Sequence, residues 1–420
     1  MKQVNVFQIG LGNFGRHGFE KFIEMHNHLN RADMEFHGLA ERDFEKRQAA
    51  EKFAARNNVE IDTFKSVDEL YRAASNVEGE VLIYDAGPTA THANHIYRSM
   101  NHGFYHVAEK PPSMTRDEHI KERKLAAGDD VVWKADFIER ESPVVKQALK
   151  ELQDVDIESI KVFRQSSMGV QKILDPIERS GVLGGDILDK MTHEIFVLDF
   201  LQAAGYEKEL ELVDAESEYF MPAGNVSDQL MRPEGGKTDS IEQSAPGKTW
   251  AAFKAGNVNV ELNSSWLGAG KKARKQASRL DFVDHSPIVT ESKLANDTAF
   301  LNEEARFFVT EGDRKLFGDM LHGRLFDLQT EEEIEVPELM HDQLYRVLRK
   351  SVLRAAGRDV GIVSDKDIDV FMNAVFDTLD LVRENSSGFY EELEGANRRV
   401  SRLVYEPNAI EDSEAESVTG

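Results

Sequence analysis

The sequence predicts an α/β domain with a parallel sheet, followed by an α+β domain with an open, mostly antiparallel sheet. Three observations carry that expectation. Strand and helix patterns alternate over residues 4–137, a glycine-rich turn separates the first strand from the first helix, and strands follow one another without helices from Leu210 to Leu328.

Val4–Ile9 is a short β-type run that breaks at Gly10, and helix-type sequence follows to about Leu29. Met34–Ala40 is the second strand, and Phe44–Asn57 has the Ala, Glu, Lys and Arg content of a helix. Ile61–Phe64 is a third strand. Ser66 is placed to cap a helix running through Ala74, with Glu69 in position to complete a capping box. Glu80–Tyr84, Phe104–Ala108 and Val131–Phe137 are the remaining strands of this series, separated by helices at Ala90–Asn101 and Thr115–Ala127. After Pro143 the rhythm changes. A helix, Pro143–Leu152, precedes a strand, Ile157–Phe163, and a strong helical pattern covers Asp186–Ala204. Further strands are expected at Val213–Phe220, Trp250–Lys254, Val258–Trp266, Ser278–Val283 and Phe307–Val309, with a polar surface excursion at Gly224–Lys248. Helices return at Leu339–Ala356 and Asp365–Asn385. The expected domains are therefore residues 1–138, residues 139–404 and an acidic, disordered tail, 405–420.

Composition limits what such a chain can do. Its 420 residues exceed one ordinary domain of ~150. The 51 basic and 76 acidic residues leave a net charge of −25, which opposes nucleic-acid or anionic-membrane binding. The basic run Lys271-Lys272-Ala273-Arg274-Lys275 lacks stacking aromatics nearby and reads as a solvated loop. There is no cysteine, which excludes disulfides, thiolate metal sites and cysteine nucleophiles. No signal-peptide pattern and no membrane-spanning run is visible, so a cytoplasmic location is expected.

The chemistry concentrates at strand ends. Gly10-Leu11-Gly12-Asn13-Phe14-Gly15 lies between strand and helix, where glycines permit a tight turn and a close backbone approach to a pyrophosphate. Unpaired N–H groups at the helix N-terminus add attraction for the phosphates. Glu41 ends the second strand 26 residues beyond Gly15 (41 − 15), where an acid accepts hydrogen bonds from adenosine ribose hydroxyls and favours NAD. Its neighbour Arg42 is suited to a 2′-phosphate, so NADP stays possible. Pro88, Thr89 and His92 follow the fourth strand, and Glu109-Lys110-Pro111 follows the fifth. Ligands bind at such carboxyl ends of an open parallel sheet, although a lone lysine there is also compatible with a solvated loop. Asp189 and His193, four residues apart after Gly184-Gly185, would share one face of a helix. On that spacing alone they read as an ordinary helix-surface pair. His92 and His95 raise a metal as a competing reading, but without an HExxH pattern or a second cluster no metal site is expected.

In this order, these motifs resemble the glucose-fructose oxidoreductase, inositol dehydrogenase and MocA (Gfo/Idh/MocA) family. The resemblance rests on the glycine turn, the Pro-Thr-x-x-His turn at Pro88 to His92, Glu109-Lys110-Pro111 and the glycine-led Asp189-to-His193 segment, and it spans nearly the whole chain. It implies a Rossmann NAD(P)-binding domain, then an α+β substrate and oligomerisation domain, in a homodimer or homotetramer. By resemblance Lys110 would touch nicotinamide ribose and substrate, His193 would be the acid/base, and Asp189 would hold substrate and orient His193. The two domains would then face each other across a crevice holding Lys110 and His193. The implied substrate is a sugar, inositol or related polyol. Gly87 in place of a threonine, and Lys190 beside Asp189, depart from the family pattern and bear on the substrate. Arg164, Lys172 and Arg179 read as surface cations rather than site residues. The alternative on the same fold is a non-catalytic dinucleotide sensor or scaffold, which would need the glycine turn but not the lysine, aspartate and histidine.

Overall fold

The computed structural model describes residues 3–29, 34–126, 133–166, 184–220, 245–265, 303–338, 341–358, 360 and 365–385. The basic run 271–275, the strand expected at 278–283, Lys172, Arg179, most of the excursion at 224–248 and the tail 405–420 lie outside the described residues. The chain divides into two compact units, Met1–Ser142 with Glu338–Asp369, and Pro143–Pro337 with Val370–Gly420.

The first unit holds a sheet of six parallel strands: β1 (Val4–Ile9), β2 (Met34–Ala40), β3 (Asp62–Phe64), β4 (Glu80–Asp85), β5 (Tyr105–Glu109) and β6 (Trp133–Asp136). Their order, β3-β2-β1-β4-β5-β6, is that of a dinucleotide-binding doubly wound sheet, with the reversal between β1 and β4. The helices α1 (Asn13–His28), α2 (Phe44–Arg56), α3 (Val67–Ala74), α4 (His92–His102) and α5 (Arg116–Ala126) connect them. Phe19, Phe22 and Ile23 recur at helical spacing on α1 and bury against the sheet, with the Phe22 ring 5.6 Å from Phe36 and 5.5 Å from Tyr84. Ser66 caps α3 by accepting from Glu69 N at 3.2 Å, as expected. The return half of the capping box differs: the Glu69 carboxylate reaches past Ser66 to Lys65 N at 2.9 Å. Asp43 caps α2 in the same way, accepting from Glu45 N and Lys46 N.

One part of the expected domain plan is corrected. The second domain was expected as one run, 139–404, but a helix at Gln343–Ala355 belongs to the first unit. Its Leu344, Tyr345, Leu348, Val352 and Ala355 sit in one core with Val4, Phe22 and Leu82. Arg346 (3.0 Å) and Lys350 both pair with the buried Glu141, fixing this return helix to the 3-10 turn Ile138–Glu141. Amphipathic spacing identifies such a helix but not which sheet it covers.

Among the described residues, the second unit begins with α6 (Pro143–Glu151) and holds eight strands: β7 (Ser159–Ser166), β8 (Glu211–Phe220), β9 (Ala245–Ala255), β10 (Val258–Ser265), β11 (Glu303–Glu311), β12 (Arg314–Asp319), β13 (Arg324–Asp327) and β14 (Glu332–Ile334). The order is β14-β13-β12-β11-β7-β10-β9-β8, antiparallel throughout except for β7 beside β10. The last three strands were not foreseen, being short and divided by polar turns. The expected helix Asp186–Ala204 is three pieces: α7 (Gly185–Asp189), a 3-10 stretch (Met191–Phe196) and α8 (Val197–Ala203).

If the return helix is part of the first unit's core, Leu348→Ala should destabilise that unit by ~2–5 kcal/mol. Denaturant unfolding followed by circular dichroism checks this, and unchanged midpoints would refute it.

Candidate cofactor and substrate sites

The glycine turn leaves β1 beside the end of β4. Gly10 has φ +86°, and a Cβ there would meet Ala86 O at 2.6 Å. A Cβ at Gly15 would meet Gly10 O at 2.5 Å. Those two glycines are required by the protein's own packing. Gly12 is different: a Cβ there would have nothing within 4 Å. Gly12 is also the N-cap of α1, with no side-chain cap and no acid in the first turn. The helix therefore presents main-chain N–H groups from Asn13 onward and open space at Gly12, as a pyrophosphate requires. Phe14 is exposed at the same turn. Fully buried Gln8 ties the turn together, donating to Gly10 O at 2.8 Å and Gly15 O at 2.6 Å. Nothing in the glycine motif had pointed to Gln8.

Glu41 stands at the end of β2. Its Oε2 accepts from Leu11 N at 2.8 Å and its Oε1 from Asp43 N at 3.0 Å, which binds it to the glycine turn. Each carboxylate oxygen has a second lone pair for a ribose hydroxyl. Arg47 donates to the Glu41 and Arg42 carbonyls at 2.6 and 2.8 Å, holding this corner, while Arg42 itself is exposed.

The loops after β4 and β5 are joined by buried groups. His92 is 1% exposed, with Nδ1 3.0 Å from Pro111 O and Nε2 3.1 Å from Gly87 O. Its ring nitrogens join the Gly87 turn to the segment after Lys110. Asp85 accepts from Gly87 N at 2.9 Å and pairs with His95 at 2.7 Å. Burial pushes the Asp85 carboxyl up, but the charges of His95 and His92 and the His95 hydrogen bond outweigh it and hold it below the usual carboxylate range. Buried His106, 3.8 Å from Asp85, is pushed down to about 3 mainly by burial and bonds Ser99 Oγ through Nδ1 at 2.8 Å. Pro88 is exposed and Thr89 half-buried on the turn that Thr91 closes, donating to Pro88 O at 2.7 Å. Glu109 accepts from the Tyr84 hydroxyl, which anchors the end of β5. Lys110 follows at once, half-buried, with a cis peptide to Pro111. Beyond the prolines, Ser113 donates to fully buried Glu122 at 2.8 Å, and burial pushes that carboxyl up to about 8.

Asp189 and His193 lie in the second unit. Lys190 N bonds Asp186 O at 2.8 Å in α-helical manner, whereas His193 N bonds Lys190 O at 3.1 Å in the tighter 3-10 manner. The i, i+4 relation expected of Asp189 and His193 therefore spans a change of helix type. Three residues make one 3-10 turn, so Lys190 and His193 fall on a common side. From Gly184 to Leu198 they are the two residues that are not buried. Asp189 is 6% exposed, with its Oδ2 3.5 Å from Lys190 Nζ. Arg164 is no surface cation: it pairs at 2.6 Å with Glu194, next to His193. Asp186 is fully buried, accepting from Thr249 at 2.9 Å and Ser264 at 2.7 Å. Burial outweighs those hydrogen bonds and pushes its carboxyl up to about 7.

An open helix N-terminus at the strand reversal, a glycine turn and an acid ending β2 define a dinucleotide-binding domain. Residues 4–136 match the Gfo/Idh/MocA family model, described as an oxidoreductase family with an NAD-binding Rossmann fold. That matched segment is a Rossmann-type NAD-binding domain, as the sequence motifs implied. The fold of the whole is similar to solved structures at low identity. UDP-N-acetylglucosamine 3-dehydrogenase GnnA from Acidithiobacillus ferrooxidans is 16% identical, with a TM-score of 0.61 covering 91% of this chain and 99% of that one. A levoglucosan dehydrogenase in complex with NADH and L-sorbose is 14% identical, with a TM-score of 0.63 over 91% and 98%. Myo-inositol 2-dehydrogenase from Lactobacillus plantarum is 13% identical, with a TM-score of 0.62 over 91% and 98%. No curated protein matches the chain in sequence. No helix among the described residues is long and apolar enough to cross a membrane.

Two outcomes follow for these groups. Gly12→Ala should leave thermal stability nearly unchanged yet weaken NADH binding about tenfold or more, read by NADH fluorescence titration, because the added methyl fills only space meant for the pyrophosphate. Asp186 holds its proton more tightly folded than unfolded. The stability it contributes is thus full below its unfolded value of 3.8 and is lost as pH rises through about 7. Asp186→Asn should flatten that part of the fall, seen by urea unfolding at a series of pH values across this window.

Proposed function

We propose that this protein is an NAD-dependent dehydrogenase or reductase acting on a hydroxyl or carbonyl of a sugar, inositol or related polyol. The observation that supports it most directly is the open, uncapped helix N-terminus at Gly12 beside Glu41, in a segment matching an oxidoreductase family. The similar structures are dehydrogenases named for UDP-N-acetylglucosamine, levoglucosan and myo-inositol, so a polyhydroxylated substrate is the class to test first. NAD is preferred over NADP in this reading because the Glu41 carboxylate would repel a 2′-phosphate.

Bound NAD supplies the hydride acceptor. His193 takes the proton of the reacting hydroxyl in oxidation and returns it in reduction, a role that suits an imidazole. The Lys110 ammonium stabilises negative charge developing on the substrate oxygen. Asp189 holds a substrate hydroxyl and orients His193. The chain assembles as a homodimer or homotetramer.

The test is a panel of sugars, inositols and sugar acids with each oxidised cofactor, followed by reduced-nicotinamide absorbance. Turnover of at least one polyol, faster with NAD than with NADP, is expected. His193→Ala should then lower kcat by ~10²-fold or more while leaving NADH affinity intact. Tight NADH binding without turnover of any polyol or ketose, and unaffected by His193→Ala, would instead favour a cofactor-sensing protein.

A further inference from the structure

A row of polar side chains crosses the second sheet where hydrophobic residues would ordinarily cover it. The strand register pairs Ser217 of β8 with Thr249 of β9, Thr249 with Ser264 of β10, and Ser264 with Arg164 of β7. Residues paired directly across strands share a face, so the four side chains form one line over four neighbouring strands. The segment carrying Asp189 and His193 is fastened along that line. Asp186 takes hydrogen bonds from Thr249 (2.9 Å) and Ser264 (2.7 Å), and Glu194 takes the Arg164 guanidinium at 2.6 Å. Further on, Phe196 and Phe200 pack on Phe307 of β11, the next strand in the sheet, with ring centroids 5.9 and 4.9 Å away.

We infer that this polar row is a positioning device that sets the rotation and register of residues 185–194, and so the placement of Asp189 and His193. The inference rests on the reading of those two as substrate-site residues. Three physical points carry it. A five-residue helix followed by a 3-10 turn has little stability of its own, so tertiary contacts must hold it. Ile187, Leu188 and Met191 supply buried apolar area, but that attraction is non-directional and tolerates small rotations. Hydrogen bonds to two hydroxyls and a guanidinium do not, because they weaken steeply once bent. Thr249 Oγ1 also lies 3.0 Å from Ser217 Oγ, so the hydrogen-bonded row continues to β8. Asp186 and Glu194 bracket the substrate-site pair, one on each side, and neither needs to touch substrate. They and the row are positioning residues rather than catalytic ones.

The test compares the wild-type protein with Thr249→Val, which keeps shape and loses the hydroxyl, and with Thr249→Ser, which restores it. Amide hydrogen exchange of residues 184–196 is read in each, together with kcat, KM and the pH profile of kcat on any substrate found. Thr249→Val should raise exchange in that segment while the strands of the sheet stay protected. It should also lower kcat about tenfold, shift the pH profile assigned to His193 and leave NADH affinity unchanged. Thr249→Ser should recover most of both effects. Unchanged segment exchange in Thr249→Val, or loss of protection spread over the whole sheet, would overturn the device. If no polyol is turned over, the proposed function fails, but the exchange measurement still decides whether the row holds the segment.

Discussion

At the reversal of the first sheet the backbone at Gly10 runs against the backbone at Ala86 so closely that a single methyl has no room between them. That approach brings the loops after β1 and β4 side by side, and the rest of the first domain is arranged around it. Gln8 pins the turn from below, Glu41 pins it from β2, and Asp85 fixes the Gly87 turn on the other side. With its neighbours so constrained, Gly12, unlike Gly10 and Gly15, faces open space at an uncapped helix end. The binding capacity for a dinucleotide is thus the residue of a packing problem solved everywhere else in the loop.

Buried charge is used in different ways in the two units. In the first, Asp85 stays ionised because His95 and His92 face it, and this hydrogen-bonded cluster stiffens the loops that precede Thr89 and follow Lys110. In the second, Asp186 has hydroxyl partners in place of cations, so burial prevails and favours its proton. Leaving water costs a carboxyl group dearly unless partners replace its hydrogen bonds. Each such group is therefore expensive to misplace, which makes it effective at defining a single arrangement.

The first domain was legible because its signals are local. Alternating strands and helices need only short-range periodicity, and the glycine turn needs only its neighbours in sequence. Boundaries fell within a few residues of those observed, and Ser66 caps its helix as its position implied. Signals that depend on a distant partner were not legible. Glu69 was expected to reach Ser66 N but reaches Lys65 N, and the two carbonyls that His92 meets lie in separate loops. Arg164 was expected at the surface but pairs with Glu194. The strong apolar pattern of residues 186–204 correctly announced burial. It did not reveal the 3-10 stretch, since a segment buried on nearly every side has no clean period to read.

What the sequence determined by itself is the order of elements in the parallel domain, the glycine turn at its phosphate end, and the residue types Lys110, Asp189 and His193 available for chemistry. Tertiary structure alone decided that Gln343–Ala355 returns to the first core, and that Ser217, Thr249, Ser264 and Arg164 line up beneath the segment bearing His193. The physical reason is the same in both cases. Helical and strand periods are set by neighbours a few residues apart, whereas register between strands and the choice of which core a helix covers are set by side chains that meet only after the chain has folded.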